Sequence, residues 1–258
     1  MSEYVLYHND PFGNSMSYWH DFDTFYDDYN SSFNDSDDVT CDASILDKCI
    51  QMVVEIEANT TYKMEVSKEM NYNPIILDRV LDKPMPFDYG SVPKTYEDPD
   101  VKCPILGVYG DNDPLDICNI SSPFRELMNL RVKPNYTGDV IPVKIIGILR
   151  IIDSGYADWK LVGIDYDMYH DYVKYYDKFN VDIVKMLYEW FCSDPKYEQV
   201  IYHDLLSSDN TEKDISLQIY FTVINHSRDC YKDNFSDSCI GCENCKLKNN
   251  RERKPNTY

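Results

Sequence analysis

The densest concentration of chemistry-bearing side chains is the run GDNDPLDI at residues 110 to 117. In an extended chain Asp111 and Asp113 point to one side, and the Pro114 step turns Asp116 back toward them, so three carboxylates converge on a small volume. Unpaired carboxylates stay together only with cations. An EF-hand is excluded, because that loop requires Asp or Asn at its fifth position and Gly at its sixth, where Leu115 and Asp116 stand. A second cluster, IIDSGYADWKLVGID, places Asp153, Asp158 and Lys160 just after an apolar strand. A third, Glu55, Lys63 and Glu65, lies on the paired strand patterns VVEIEA and TYKMEV. Lys63 and Glu65, like Asp158 and Lys160, are two apart and share a face when extended. Charges of both signs facing a strand interior are costly unless they meet a ligand. Oxygen donors without His or Cys point to Mg²⁺ rather than zinc, and Mg²⁺ pairs a few carboxylates with substrate phosphate. The chemistry implied is metal-assisted attack of water on a phosphoryl group, with lysines holding the remaining phosphate charge.

The elements that must position these groups are short. From Ile45 onward, apolar runs such as IQMVVEIEA, PIILDRVL, PILGVYG, PLDICNI and DVIPVKIIGILRIID are split by turn residues, which predicts a twisted, mostly antiparallel sheet or barrel. In NVDIVKMLYEWFCSDP the period changes: Ile183, Val184, Leu187, Trp190 and Phe191 share a helical face, with Asn180 the expected N-cap and Pro195 a stop. DISLQIYFTVIN fits strand or helix equally, and periodicity does not choose between them.

Net charge is −20, from 25 Lys+Arg against 45 Asp+Glu, so a nucleic-acid partner is disfavoured and an anionic substrate must arrive with cations. No apolar run reaches the roughly 18 residues that cross a bilayer, and MSEYVLYHNDPF lacks a signal-peptide pattern, so the expectation is a cytoplasmic protein with no membrane partner. Residues 1–42 are acidic, without Lys or Arg, and read as a disordered N-terminal arm whose removal leaves activity intact; the alternative is an arm docked through Tyr18, Trp19, Phe22, Phe25 and Tyr26. The catalytic domain is placed at 43–228 and a cysteine-rich polar tail at 229–258. In that tail Cys230, Cys239, Cys242 and Cys245 could close a zinc site with His226 as a substitute ligand, although free thiols fit the spacing better.

The strings QMVVEIEANTTYKMEVSKEMNYNPIILD, FDYGSVPKTYEDPDV, GVYGDNDPLDICNI and IGILRIIDSGYADWKLVGID resemble, in order and spacing, the family I soluble inorganic pyrophosphatases of eukaryotic type. The resemblance spans about residues 50 to 195. It implies an α+β, mainly β fold, a five-stranded OB-like twisted antiparallel barrel with flanking helices, and a homodimer. It also implies Mg²⁺-dependent hydrolysis of pyrophosphate to two phosphates by a metal-bridged water. Carried over by position, Asp111, Asp116, Asp153 and Asp158 bind metal and Asp113 is the base. Glu55, Glu65, Lys63, Lys160 and Tyr89 are further site residues, and Arg79 matches a phosphate-binding arginine across a shortened segment. Two departures stand out. Met85 replaces a site tyrosine, and the Tyr-Lys pair expected after the helix is replaced by Lys196 and Tyr197, reversed and displaced. The alternative is a weak or inactive barrel acting as an interaction module.

Overall fold

The computed structural model describes residues 4–26, 48–131 and 133–235. The N-terminal segment contributes four two-residue strands, β1 (Val5–Leu6), β2 (His8–Asn9), β3 (Ser15–Met16) and β4 (Phe25–Tyr26). There follow β5 (Cys49–Ile56), β6 (Tyr62–Val66), β7 (Ile75–Val80), β8 (Asp88–Ser91), β9 (Asp116–Asn119) and helix α1 (Ser121–Met128). The long β10 (Val140–Asp153), β11 (Tyr156–Ala157) and β12 (Lys160–Asp165) lead to α2 (Tyr169–Lys174), α3 (Tyr176–Phe191), β13 (Tyr197–Asp204) and α4 (Asn210–Asn234).

The expected five-stranded barrel is present. β5 pairs β8, β8 pairs β9, β9 pairs β12, β12 pairs β10, and β10 returns to β5 through Val140↔Val53. Every pairing in this ring is antiparallel except β9–β12. β10 pairs four neighbours along its 14 residues, β5, β11, β12 and β13, and a bulge between Ile145 and Gly147 bends it. Gly90 is fixed by closure, since a Cβ there would lie 1.8 Å from the Val53 carbonyl oxygen.

Both faces of the barrel wall are covered, which is why the strands read as nearly continuous apolar runs. Met52, Val54, Ile117, Ile148 and Leu161 pack with Phe221 and Ile224 of α4. The alternate residues Cys118, Leu149, Val162 and Ile164 pack with Phe179, Ile183, Leu187 and Phe191 of α3. DISLQIYFTVIN lies within α4: Asp209 caps it by accepting from the Thr211 and Glu212 amides, and Ser216, Tyr220, Val223, Ile224 and Ser227 form its buried face. Helix α3 starts at Tyr176, so the expected cap Asn180 is interior, its amide bonded to the Tyr176 hydroxyl and the Asp204 carboxylate. The run PILGVYG is no strand. Gly107 turns it at φ 69°, leaving only isolated bridges at Tyr109 and Gly110.

The N-terminal segment departs most from expectation. Residues 4–26 are built into the molecule: β1 pairs β7, β4 pairs β5, and Tyr18 and Trp19 are each 2% exposed. The sequence rightly lacks an independent core here, but the aromatic residues bury against the barrel instead. At the other end α4 continues through Cys230 to Asn234; Cys239, Cys242, Cys245 and residues 27–42 lie outside the described residues.

Candidate active site

The parallel pairing of β9 and β12 sets Lys160 opposite Asp116, each at the first position of its strand. Lys160 Nζ donates to Asp116 Oδ2 at 2.7 Å, to Asp158 Oδ1 at 2.7 Å and to the Tyr89 hydroxyl at 2.8 Å. The Tyr89 hydroxyl in turn donates to Asp116. Lys160 is 2% exposed. Burial alone would strip its proton, but Asp116 and Asp158 hold its pKa well above the ordinary lysine value. The opposite pressure acts on Asp116, which burial pushes up to about 6 despite Lys160.

Beside this group, one oxygen each from Glu97, Asp111 and Asp158 lies within 4.8 Å of the others. Gly110 permits the approach: a Cβ there would sit 2.4 Å from the Glu97 carbonyl oxygen. The backbones are then zipped together by Asn112 N–H to Glu97 O at 2.8 Å and Glu97 N–H to Asp113 O at 2.8 Å. Glu97 is 5% exposed; Oε1 accepts from the Trp159 amide at 3.3 Å, while the buried Oε2 has no hydrogen-bond partner among the described residues. Burial, and then the neighbouring aspartates, push both Glu97 and Asp111 well above the carboxylate range. Carboxylates crowded at this spacing around an orphan oxygen fit a divalent cation with oxygen ligands. Glu97, Asp111 and Asp158 could hold one.

A second carboxylate centre forms on the other side of Asp116. Glu55, buried on β5, accepts from the Val66 amide at 3.1 Å and Ser91 Oγ at 2.9 Å. Burial, with Asp116 and Glu65 adding repulsion, raises its pKa to about 8. Lys63 pairs with Glu65 and lies 3.7 Å from Asp78, and Arg79, opposite Lys63 in the β6–β7 ladder, bonds Asp78 at 2.8 Å. Asp113 is paired with Lys68, whose ammonium also donates to the Asn112 carbonyl at 3.0 Å.

The structure therefore gathers Asp111, Asp116, Asp158, Lys160, Tyr89 and Glu55 around one buried centre. Lys63, Glu65 and Arg79 stand on the adjacent hairpin. Asp153 is not one of the closely spaced Glu97–Asp111–Asp158 group; its carboxylate accepts from Lys196 Nζ at 3.1 Å and Ser154 Oγ at 2.6 Å. In the reversed pair, burial lifts the Tyr197 hydroxyl pKa, with Lys160 and Asp158 acting on it in opposite senses, and Lys196 pairs with Asp153 at 3.1 Å. Met85 is 5% exposed and packs with Phe87 and Phe191, so it turns into the core.

Sequence reasoning missed Glu97 and Lys68. Glu97 lies in TYEDPDV without strand periodicity; its signal was an acidic residue between a buried aromatic and a turn. Lys68 closes the same KMEVSK string as Lys63 and Glu65. On α4, Cys230 lies 3.8 Å from His226 Nε2, and His226 lines one cavity with Glu97, Gly110 and Trp159.

The comparisons agree with this architecture. A family model described as inorganic pyrophosphatase matches residues 52–219. The chain is 37% identical over 144 residues to the mitochondrial inorganic pyrophosphatase of Saccharomyces cerevisiae, covering 50% of this chain and 43% of that protein. It is 35% identical over 164 residues to the inorganic pyrophosphatase of Eremothecium gossypii, covering 59% and 48%. Thus the match takes in less than half the length of either relative. The inorganic pyrophosphatase of Schistosoma japonicum superposes with TM-score 0.63 at 25% identity, over 89% of this chain and 76% of that one. The type I enzyme of Toxoplasma gondii shares the fold, with TM-score 0.64 at 20% identity over 91% and 95%. With the family model matched over well more than half its length, this chain belongs to the inorganic pyrophosphatase family.

Proposed function

We propose that this chain hydrolyses inorganic pyrophosphate to two phosphates with Mg²⁺ as the cofactor. The observation that carries the reading is the crowding of Glu97, Asp111 and Asp158 beside the Lys160–Asp116–Tyr89 group. Mg²⁺ bound among these oxygens would act as a Lewis acid and lower the pKa of a coordinated water. Asp111, Asp116 and Asp158 are the proposed ligands, with Glu97 added to them and Asp153 an outlying one. Asp113 is the proposed base for the attacking water, its carboxylate oriented by Lys68. Lys160, Tyr89, Lys63 and Arg79 bind phosphate oxygens, and Glu55 and Glu65 complete the charge balance around the lysines. Lys196 and Tyr197 stand where they can take up departing phosphate.

A charge-assisted hydrogen bond contributes about 1.5–3 kcal/mol. Lys63→Ala therefore raises the pyrophosphate KM by roughly ten- to a hundredfold, read in a phosphate-release assay at saturating Mg²⁺. An unchanged KM would remove Lys63 from the phosphate grip. Met85 favours a second reading, a barrel of weak or no turnover serving as an interaction module, because its buried thioether leaves one fewer hydroxyl for phosphate. Substantial Mg²⁺-dependent turnover in the parent that is lost in Asp116→Ala separates the two, since the second reading has little or none to lose. A homodimer is proposed on the family resemblance; among the described residues no helix is long and apolar enough to cross a membrane.

A further inference from the structure

The loop that carries Asp111 and Asp113 is held from behind by a residue outside the reacting group. Asn112, between the two aspartates, adopts a left-handed conformation at φ 73°, and its Oδ1 accepts a 2.7 Å hydrogen bond from the Tyr96 hydroxyl. Tyr96 is 5% exposed. Its amide is fixed to the Ser227 carbonyl of α4 at 2.9 Å, and its ring meets Trp19 at 5.9 Å and Phe235 at 5.4 Å between centroids. Trp19 is itself anchored, its indole N–H donating to Thr95 O at 2.8 Å and its carbonyl accepting from the Lys94 amide at 2.9 Å. Segments from both ends of the described chain thus close on Tyr96, whose hydroxyl grips the Asn112 side chain.

We infer that Tyr96 is a positioning residue for the metal-binding loop, and that Trp19 of the N-terminal segment holds Tyr96 in place. The N-terminal segment is then part of the site's support and not the dispensable arm its composition suggests. Asp111 and Asp113 bring repelling charges to the same volume, and each tether that fixes their backbone lowers the cost of ordering them around a cation. Lys68, bonded to the Asn112 carbonyl and Asp113, supplies a parallel tether, so loss of the Tyr96 hydroxyl loosens the loop without releasing it. The inference rests on the proposal that Asp111 is a metal ligand.

The test is calorimetric titration of Mg²⁺, and separately Mn²⁺, into the metal-free full-length chain without substrate. Four variants are compared with the parent: Tyr96→Phe, Trp19→Phe, Asn112→Gly and the double Tyr96→Phe/Asn112→Gly. Glycine keeps the left-handed backbone while removing the acceptor. Tyr96→Phe weakens metal binding roughly three- to tenfold, the range of one neutral hydrogen bond. In the Asn112→Gly background the same change has no further effect, as coupled partners require. Trp19→Phe shifts affinity in the same direction. In turnover the Mg²⁺ concentration for half-activation rises with these shifts, while kcat at saturating Mg²⁺ stays within about twofold of the parent, a split that general unfolding would not give. Thermal melts confirm that each variant is folded.

Unchanged metal affinity in Tyr96→Phe overturns the inference, as does a shift that persists undiminished with Asn112→Gly. Unchanged affinity in Trp19→Phe overturns the part assigned to the N-terminal segment. A parent that binds metal and shows these shifts but releases no phosphate upholds the inference and overturns the hydrolysis reading. A parent that binds neither ion overturns both.

Discussion

Lys160 is the cation that allows Asp116 and Asp158 to share a buried volume. Breaking a buried ion pair from one side leaves an uncompensated charge and costs about 3–5 kcal/mol. Lys160→Met therefore destabilises the metal-free chain by about 3 kcal/mol, measured from urea unfolding midpoints. An unchanged midpoint would mean that the carboxylates relax into water. The same crowding makes stability depend on pH. Glu55 has its folded pKa raised from 4.5 to about 8, and Asp116 from 3.8 to about 6. The folded chain holds protons that the unfolded chain has released, so their stabilisation is complete below the unfolded values and is lost as pH rises through the folded ones. The melting temperature of the metal-free chain accordingly falls between about pH 4.5 and about pH 8, and saturating Mg²⁺ flattens that slope. A melting temperature that rises across this window in the metal-free chain would contradict the buried assignments. The two-residue spacing of Asp158 and Lys160 was legible, and their side chains meet at 2.7 Å. The DNDPLD run was legible as clustered carboxylates but does not share a strand face: Asn112 turns left-handed at φ 73° and Asp113 pairs with Lys68. Glu97 was not legible, since it joins the site only through the close backbone passage at Gly110.

Among the elements, the loop from Gly110 to Asp113 is the one whose placement most controls the site. A side chain at Gly110 would collide with the Glu97 backbone, where neither partner can give way cheaply. Gly110→Ala is expected to weaken Mg²⁺ binding at least tenfold and to cost about 1–3 kcal/mol of stability, checked by calorimetric titration and denaturant unfolding. Parent-like metal affinity would show that the loop does not need the approach. The barrel strands were legible from brief β-branched runs and their punctuation. The α4 alternation was not decisive, because Ile215, Ile219 and Val223 satisfy both periods. The capping geometry settles it: Asp209 accepts the first-turn amides, and the buried face runs through Ser216, Tyr220, Val223 and Ser227 while Ile215 ends 51% exposed, off the apolar face that either pattern gave it. PILGVYG was misleading for the opposite reason: its apolar content packs against the core as turns around Gly107.

At the scale of the molecule, a chain of net charge −20 repels anions in solution, and its Glu97–Asp111–Asp158 group could hold a cation locally. Composition leads to the expectation that an anionic substrate arrives with cations. It could not report the packing of residues 4–26, because their aromatic rings find partners only once α4 and the Tyr96 segment are in place. The reaction itself is the central claim, and phosphate release from pyrophosphate by the purified chain, with and without Mg²⁺ and alongside Asp116→Ala, tests it most directly. The account predicts Mg²⁺-dependent release that falls by at least about a hundredfold in the variant. Release that is independent of metal, equal in Asp116→Ala, or absent from a folded and metal-loaded parent would contradict it.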